Sequence, residues 1–254
     1  MRTVFAATLV SVFAASTLQA AEWGNLKGTL QFDGAAPSAA RLTVNKDTEV
    51  CGKEDLYDES MVVGENNGLA NAVIYLYLGR GDTVDVHPDY ESTATSLVEM
   101  DNKTCRFEPH VAAMRTSQTL LIKNSDPVGH NTKVDSANQG INPIIPANES
   151  VEFQFKDAER RPLPVSCSIH PWMKGWLVVK DDPYFAVTAA DGSFEIKNLP
   201  VGEWEFQMWH EKAGYLKSVE TAMGKASKKG RVKVEIKAGD NDLGEVAVPA
   251  ALFD

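Results

Sequence analysis

The chain has 254 residues, enough for one large domain or two ordinary ones, and 43% of them are hydrophobic, as in folded globular proteins rather than disordered ones. Its formal net charge of −10 argues against a nucleic-acid partner. It contains three cysteines, an odd number that needs an explanation if the protein is exported.

The first 20 residues predict a secretory signal peptide. Arg2 supplies a positive start, residues 4–15 form an apolar run, and Leu18-Gln19-Ala20 is a small-residue cleavage site. The run is too short to span a bilayer and no second one follows, so we expect no transmembrane span in the mature chain. The alternative is an uncleaved anchor. The predicted location is periplasmic or secreted, which is an oxidising environment.

Alternating and β-branched stretches predict β-strands along the next part of the chain, and no stretch has the periodicity of an amphipathic helix. Segments rich in Gly, Pro, Ser and Asp separate these stretches. The predicted strands cover residues 26–32, 72–78, 119–124, 151–155, 163–167 and 175–180. Short strands with frequent turns indicate an all-β sandwich or barrel.

A change of composition at Asp181-Asp182-Pro183 predicts the start of a second domain. Asp191-Gly192 between two alternating runs is a strong hairpin signal. Residues 204–209 and 232–237 alternate again, and Asp240-Asn241-Asp242 is interpreted as a turn. Residues 181–254 are therefore predicted to form a second, smaller β-sandwich.

Cys167, His170 and Met173 place a thiol, an imidazole and a thioether within seven residues. A cysteine and two histidines with a weak axial methionine are the signature of a blue-copper electron-transfer site, and His130 is the second histidine we select. Zinc would take the same cysteine and histidines but would gain little from the methionine. We therefore predict one type 1 copper ion per chain, with His130, Cys167, His170 and Met173 as ligands.

The cysteine count supports the same site. If Cys51 and Cys105 form a disulfide, Cys167 is left as a free thiol that a metal ion would protect. Hydrogen bonds from neighbouring groups that do not bind the metal usually orient its ligands. We expect such a bond between Asn131 and Ser168 to connect the two ligand segments.

The role of His110 remains open: it is an extra ligand, a group that orients a ligand, or a hydrogen-bonded structural residue. Two roles remain open for Trp172 and Trp176: they form an apolar docking rim around His170, or they pack in the core.

The sequence Cys167-x2-His170-Pro171-Trp172-Met173, with His130-Asn131 upstream, resembles the copper site of the cupredoxins, and its short His-to-Met spacing is nearest to the amicyanin type. The resemblance implies an all-β fold with a cupredoxin-like Greek-key sandwich, here over residues 21–180 with an extended N-terminal part. It also implies that His170 lies near the surface, where electrons enter and leave. Residues 181–254 resemble a transthyretin-like or carboxypeptidase-regulatory module.

The function implied is the transfer of single electrons between periplasmic redox proteins, such as a cytochrome c or a dehydrogenase. We expect no enzymatic activity, because four protein ligands leave the metal no vacant position for a substrate. Two alternatives remain. One is a copper carrier or sensor, and the other is a β-sandwich interaction module with a vestigial copper site.

Overall fold

The computed structural model describes residues 22–253, and the predicted signal peptide lies outside them. The described residues form β-strands, a few short 3-10 turns and irregular loops, which confirms the all-β class. No helix in this part of the chain is long and apolar enough to cross a membrane. In chain order the strands are β1 (Trp23–Asp33), β2 (Val73–Leu76), β3 (Leu97–Lys103), β4 (Arg106–Glu108), β5 (Val111–Arg115), β6 (Thr119–Asn124), β7 (His130–Asn131), β8 (Lys133–Val134), β9 (Ile144–Ile145), β10 (Ser150–Phe153), β11 (Leu163–Ser166), β12 (Lys174–Lys180), β13 (Phe185–Val187), β14 (Ser193–Pro200), β15 (Gly202–His210), β16 (Gly214–Tyr215), β17 (Glu220–Thr221), β18 (Gly224–Lys225), β19 (Arg231–Ile236) and β20 (Gly239–Pro249).

Strands β3 to β12 form one β-sandwich, which we call the insert sandwich. Its two four-stranded sheets have the orders β10-β6-β3-β4 and β5-β12-β11-β8. The pairs β3/β6 and β5/β12 are parallel, so the chain crosses between the sheets instead of forming simple hairpins. Side chains from both sheets meet in one core, which includes Met100, Met114, Leu120, Val165 and Leu177.

The remaining strands form a second sandwich, which we call the flanking sandwich. One sheet has the order β14-β1-β20, and the other has the order β13-β2-β15-β16 with β19 also paired to β15. Apolar residues from both sheets, among them Leu30, Ile74, Phe206 and Val246, close its core.

The two predicted sandwiches are present, but the predicted domain boundary differs from the strand pairing. Residues 21–180 were expected to form one copper domain, whereas β1 and β2 belong with the strands after residue 181. The reason is burial, since Leu26, Leu30 and Phe32 alternate along β1 and face the core of the flanking sandwich. The flanking sandwich is therefore discontinuous in sequence, and the insert sandwich interrupts it.

Strand β2 explains how the two sandwiches are joined. Its alternate residues Ile74 and Leu76 face the core of the flanking sandwich, while Val73 and Tyr75 face an apolar interface with the insert sandwich. Burial on both faces accounts for the unbroken apolar run in this strand. Trp176 packs against Trp209 across the same interface, with ring centroids 4.7 Å apart, so it belongs to the packing between the sandwiches.

A buried lysine lies at the end of β12. The Lys180 ammonium donates to the carbonyl of Glu159 at 2.9 Å and lies 3.8 Å from the centroid of the Tyr75 ring. Burial lowers the pKa of Lys180 from 10.5 to about 8. The charged form is therefore less stable in the folded protein than in the unfolded chain.

We expect the free energy of unfolding to rise by about 3 kcal/mol between pH 8 and 10.5 through Lys180. In that window the unfolded chain holds the proton that the folded protein has released, so raising the pH favours folding. The Lys180→Met variant should lose this slope and be more stable than the wild type at pH 7. Urea unfolding over this pH range measures the slope, with the exposed Lys237→Met as control. Equal slopes in wild type and Lys180→Met would contradict the prediction.

Candidate metal centre

The Cys167-to-Met173 segment is the loop that joins the antiparallel strands β11 and β12. The last register pair of these strands is Ser166 with Lys174, directly outside the loop. The amide of Cys167 donates to the carbonyl of Met173 at 3.3 Å, and the amide of Met173 donates to that of His170 at 2.9 Å. These bonds make the loop a tight turn that presents its cysteine and its histidine from one rigid base.

His130 reaches the same place from the end of β6. The side-chain amide of Asn124, the last residue of β6, donates to the carbonyls of Val128 and Ile145 at 2.8 and 2.9 Å. The register pairing of His130 with Ile145 then fixes the short strand β7. The turn after β6 is therefore held at both ends, which places His130 next to the loop.

The two segments bring the predicted strong ligands together. The ligand atoms of His130, Cys167 and His170 all lie within 4.8 Å of one another. The two Nδ1 atoms of the histidines are 2.8 Å apart, and Sγ of Cys167 lies 3.8 Å from Nδ1 of His170. All three side chains are buried, as is Met173 on the same loop. The structure thus gathers the three predicted strong ligands in one buried cluster, and Met173 is buried on the same loop.

Both histidines are held by carboxylates on their outer nitrogens. Nε2 of His130 bonds to Asp126 at 2.8 Å, and Nε2 of His170 bonds to Asp47 at 2.7 Å. A histidine that donates its outer N–H to a carboxylate keeps the other nitrogen for a metal ion. Both Nδ1 atoms therefore face Cys167, and two imidazoles beside a thiol are a donor set that suits copper.

Charges in the cluster favour a thiolate. Burial opposes ionisation of Cys167, but hydrogen bonds from His130 and from nearby amides lower the pKa of its thiol. Burial likewise opposes protonation of His130, but its hydrogen bonds to Asp126 and Cys167 raise the pKa of its ring to about 9. Burial lowers the pKa of His170 despite its bond to Asp47. The arrangement thus favours a negative sulfur beside a positive charge, and a bound cation would satisfy the same sulfur.

The predicted link between the ligand segments is present and involves the backbone of Ser168. Its amide donates to Oδ1 of Asn131 at 2.7 Å, and the amide of Ile169 donates to the same oxygen at 3.2 Å. Asn131 in turn donates to Asn142 at 2.6 Å. This side chain therefore fixes the distance between β7 and the cysteine loop.

A loop of the flanking sandwich covers the cluster. We call residues 41–58 the capping loop, and its base is closed by pairing of Arg41 with Tyr57. Asp47 has a left-handed φ of 45°, which Asp tolerates better than most residues, and its carbonyl accepts the amides of Val50 and Cys51. The Cys51–Cys105 disulfide then attaches this turn to the insert sandwich.

The capping loop changes the expected surroundings of His170. The resemblance implied a ligand near the surface, but His170 is 0% exposed, because Asp47 covers its outer nitrogen. Trp172 lies over the ring at a centroid distance of 5.0 Å and donates its indole N–H to the carbonyl of Cys105. It packs against the disulfide as part of the cover and forms no open rim.

Sequence reasoning missed both carboxylates. Asp126 lies in the turn that delivers His130, so an acid four residues before the histidine was an available signal. Asp47 had no local signal. Its nearest clue was Cys51, because the expected disulfide brings this part of the chain to Cys105.

His110 lies apart from this cluster. The groups of metal-binding side chains found among residues 22–253 do not include it. Its ring bonds to Glu211 at 2.5 Å, at the junction of the two sandwiches. Cys105, Asp126 and His130 also lie close together, but Cys105 is in the disulfide and offers no thiolate.

The sequence matches no protein-family model and no curated protein sequence. Among solved structures, a reduced amicyanin mutant matches with 18% identity over 33% of this chain and 82% of its own, at a TM-score of 0.30. A purple cupredoxin from Nitrosopumilus maritimus matches with 22% identity over 34% of this chain and 99% of its own, at a TM-score of 0.28. A copper-containing nitrite reductase from Thermus scotoductus matches with 19% identity over 41% of this chain and 25% of its own, at a TM-score of 0.30. Scores this low support no functional argument, so any conclusion about function depends on the site itself.

Proposed function

We propose that this chain is a type 1 copper protein of the periplasm that carries single electrons between redox proteins such as a cytochrome c or a dehydrogenase. The observation that carries the proposal is the convergence of His130, Cys167 and His170 from two segments, with Met173 on the same loop. Copper bound there would supply a one-electron Cu(II)/Cu(I) couple.

The residues of the chain have separate roles in this proposal. Cys167 supplies the thiolate and the two histidines supply the imidazoles. Asp126 and Asp47 orient the rings, and Asn131 holds the cysteine loop against β7. Burial of the ligands limits the rearrangement of water when the charge of the site changes, which favours rapid electron transfer. Because the four side chains occupy the site, we propose a carrier of electrons and not an enzyme.

The Cys167→Ala variant is expected to lose an intense absorption band near roughly 600 nm that the wild type gains on addition of Cu(II). The band arises from charge transfer between thiolate and copper, so it requires this sulfur. Visible absorption of the two purified proteins with one equivalent of Cu(II) measures it. The surface variant Ser168→Ala is the matched control, because the hydrogen bond to Asn131 comes from the backbone of residue 168. A wild type that binds copper and stays colourless would refute the proposal.

One observation favours the alternative of a copper carrier. The capping loop buries His170, whereas a docking partner would need a short path to a ligand. In a carrier, copper would leave to a chelator within minutes and would give no reversible redox couple. Cyclic voltammetry together with transfer to a chelator separates the two functions.

A further inference from the structure

A second group of polar side chains meets at the junction of the two sandwiches. His110 lies between β4 and β5, Glu211 follows β15, and Glu59 follows the capping loop. Nε2 of His110 bonds to Glu211 at 2.5 Å, and Nδ1 of His110 lies 3.8 Å from Oε2 of Glu59. The group lines a pocket of about 130 Å³ that is also bordered by Trp172 and Met173 of the cysteine loop.

The imidazole of His110 has an unsatisfied nitrogen. Its side chain is only 6% exposed, yet Nδ1 has no hydrogen-bond partner. When the ring is neutral and Nε2 donates to the Glu211 carboxylate, Nδ1 carries a lone pair. A buried polar atom without a partner is rare in folded proteins and requires an explanation. The lone pair is available to an electron acceptor or a proton donor in the adjoining pocket.

The distances match a metal ion better than a direct contact. The 3.8 Å between Nδ1 of His110 and Oε2 of Glu59 is too long for a hydrogen bond. It is short enough for both atoms to bind one ion at about 2.0–2.2 Å each. The carboxylate of Glu211 behind the ring completes the usual carboxylate–histidine–metal arrangement.

We propose that Glu59 and His110 bind a divalent transition-metal ion, such as Zn²⁺, in this pocket, and that Glu211 orients the imidazole. A histidine nitrogen and a glutamate oxygen are both common zinc ligands. Two protein ligands and an adjoining pocket leave room for water at the other positions, so the ion exchanges with solvent.

The charge around the pocket is compatible with a cation. Glu59, Glu211 and Asp58 border it, together with Arg106 and Lys174. Arg106 is already paired with Glu108 at 2.8 Å and reaches the other oxygen of Glu59 at 3.5 Å. Oε2 of Glu59 therefore remains directed toward His110.

The test is a titration of the full mature chain with Zn²⁺, followed by calorimetry and by ¹H–¹⁵N correlation of the histidine ring nitrogens. We expect the Nδ1 resonance of His110 to shift on binding. His110→Gln should abolish that binding event, and Glu59→Gln should weaken it at least tenfold. Glu49→Gln removes an exposed carboxylate that does not line the pocket, so it should leave the affinity unchanged within about twofold.

The ring signals separate this site from the copper cluster. Zinc that shifts only the rings of His130 and His170 would overturn the proposal, as would equal binding by wild type and Glu59→Gln. Failure of the copper assignment would leave the shift of His110 intact, because the two sites share no ligand. Thermal unfolding of each variant checks that a lost signal does not come from a lost fold.

Discussion

A fragment of residues 181–253 is expected to remain unfolded on its own, although the composition of the chain marks residue 181 as a domain boundary. The fragment lacks β1, the strand between β14 and β20, and β2, the strand between β13 and β15. Both sheets of the flanking sandwich would therefore lose a central strand.

The energetic loss is comparable to the stability of a whole domain. Burying one large aliphatic or aromatic side chain stabilises a protein by about 1.5–3 kcal/mol. The missing strands remove five such side chains from the core, about 10 kcal/mol in total, against a typical domain stability of about 5–15 kcal/mol. These side chains are Leu26, Leu30, Phe32, Ile74 and Leu76.

A chain that joins residues 22–94 to residues 181–253 by a short linker is the matched control and is expected to fold. The two ends of the insert sandwich lie close together, since Thr93 bonds to Arg115 and Asp181 bonds to the adjacent Thr116, each at 2.8 Å. Inserted domains commonly have neighbouring ends. Dispersion of the ¹H–¹⁵N spectrum distinguishes the outcomes. A dispersed spectrum from residues 181–253 alone would show that β1 and β2 are dispensable.

This discontinuity was not predictable from the sequence, although about half of the strands were. Apolar and polar residues alternate in β1, β6, β15 and β19, which predicts segments with one buried face, and the structure has strands there. Periodicity does not say which sheet a strand joins, because pairing partners far apart in the chain leave no local pattern. The place of β1 between β14 and β20 could therefore not be derived from its own residues.

Among the strands that were missed, β3 and β20 contain polar residues that are satisfied by long-range contacts. Asp101 and Asn102 are buried in β3, where Asp101 accepts from Ser125 and Asn102 donates to Lys123. The expected turn at 240–242 instead lies in β20, which pairs in parallel with β1, and Asn241 donates there to the carbonyl of Lys237. Buried polar residues of this kind resemble loop composition until their partners are known.

The candidate site, like the fold, has one part that the sequence indicates and another that depends on tertiary structure. Spacing alone was enough to predict Cys167, His170 and Met173 as ligands, because these residues share one short loop. His130 and Asn131 were recognisable from the strand end that delivers them. Asp47 belongs to the other sandwich and meets His170 only after both sandwiches have formed, so its role depends on tertiary structure.

The Asp47→Asn variant is expected to raise the reduction potential of copper bound to His130, Cys167 and His170. The wild-type carboxylate lies 2.7 Å from Nε2 of His170 and favours the more positive Cu(II) state. Its hydrogen bond also makes the imidazole a more basic ligand, which acts in the same direction. Asparagine can still accept the N–H through its amide oxygen, so the change removes charge while keeping the hydrogen bond.

The expected size is modest, because the Asp47 side chain is 42% exposed and water screens its charge. A unit charge acting over several ångströms near a protein surface contributes about 1 kcal/mol. For a one-electron couple this corresponds to roughly 40 mV. The shift should shrink as ionic strength rises, since solvent ions reach the exposed part of the carboxylate.

Protein-film voltammetry of the wild type, Asp47→Asn and Glu49→Gln measures the effect. Glu49 is exposed in the same turn, so its variant removes an equal charge without touching His170. A shift in Asp47→Asn that exceeds the shift in Glu49→Gln assigns the effect to the contact between Asp47 and the ring. Equal shifts of the reduction potential in the two variants would show that Asp47 acts only as a surface charge. The capping loop would then act on the copper cluster only by excluding water from it.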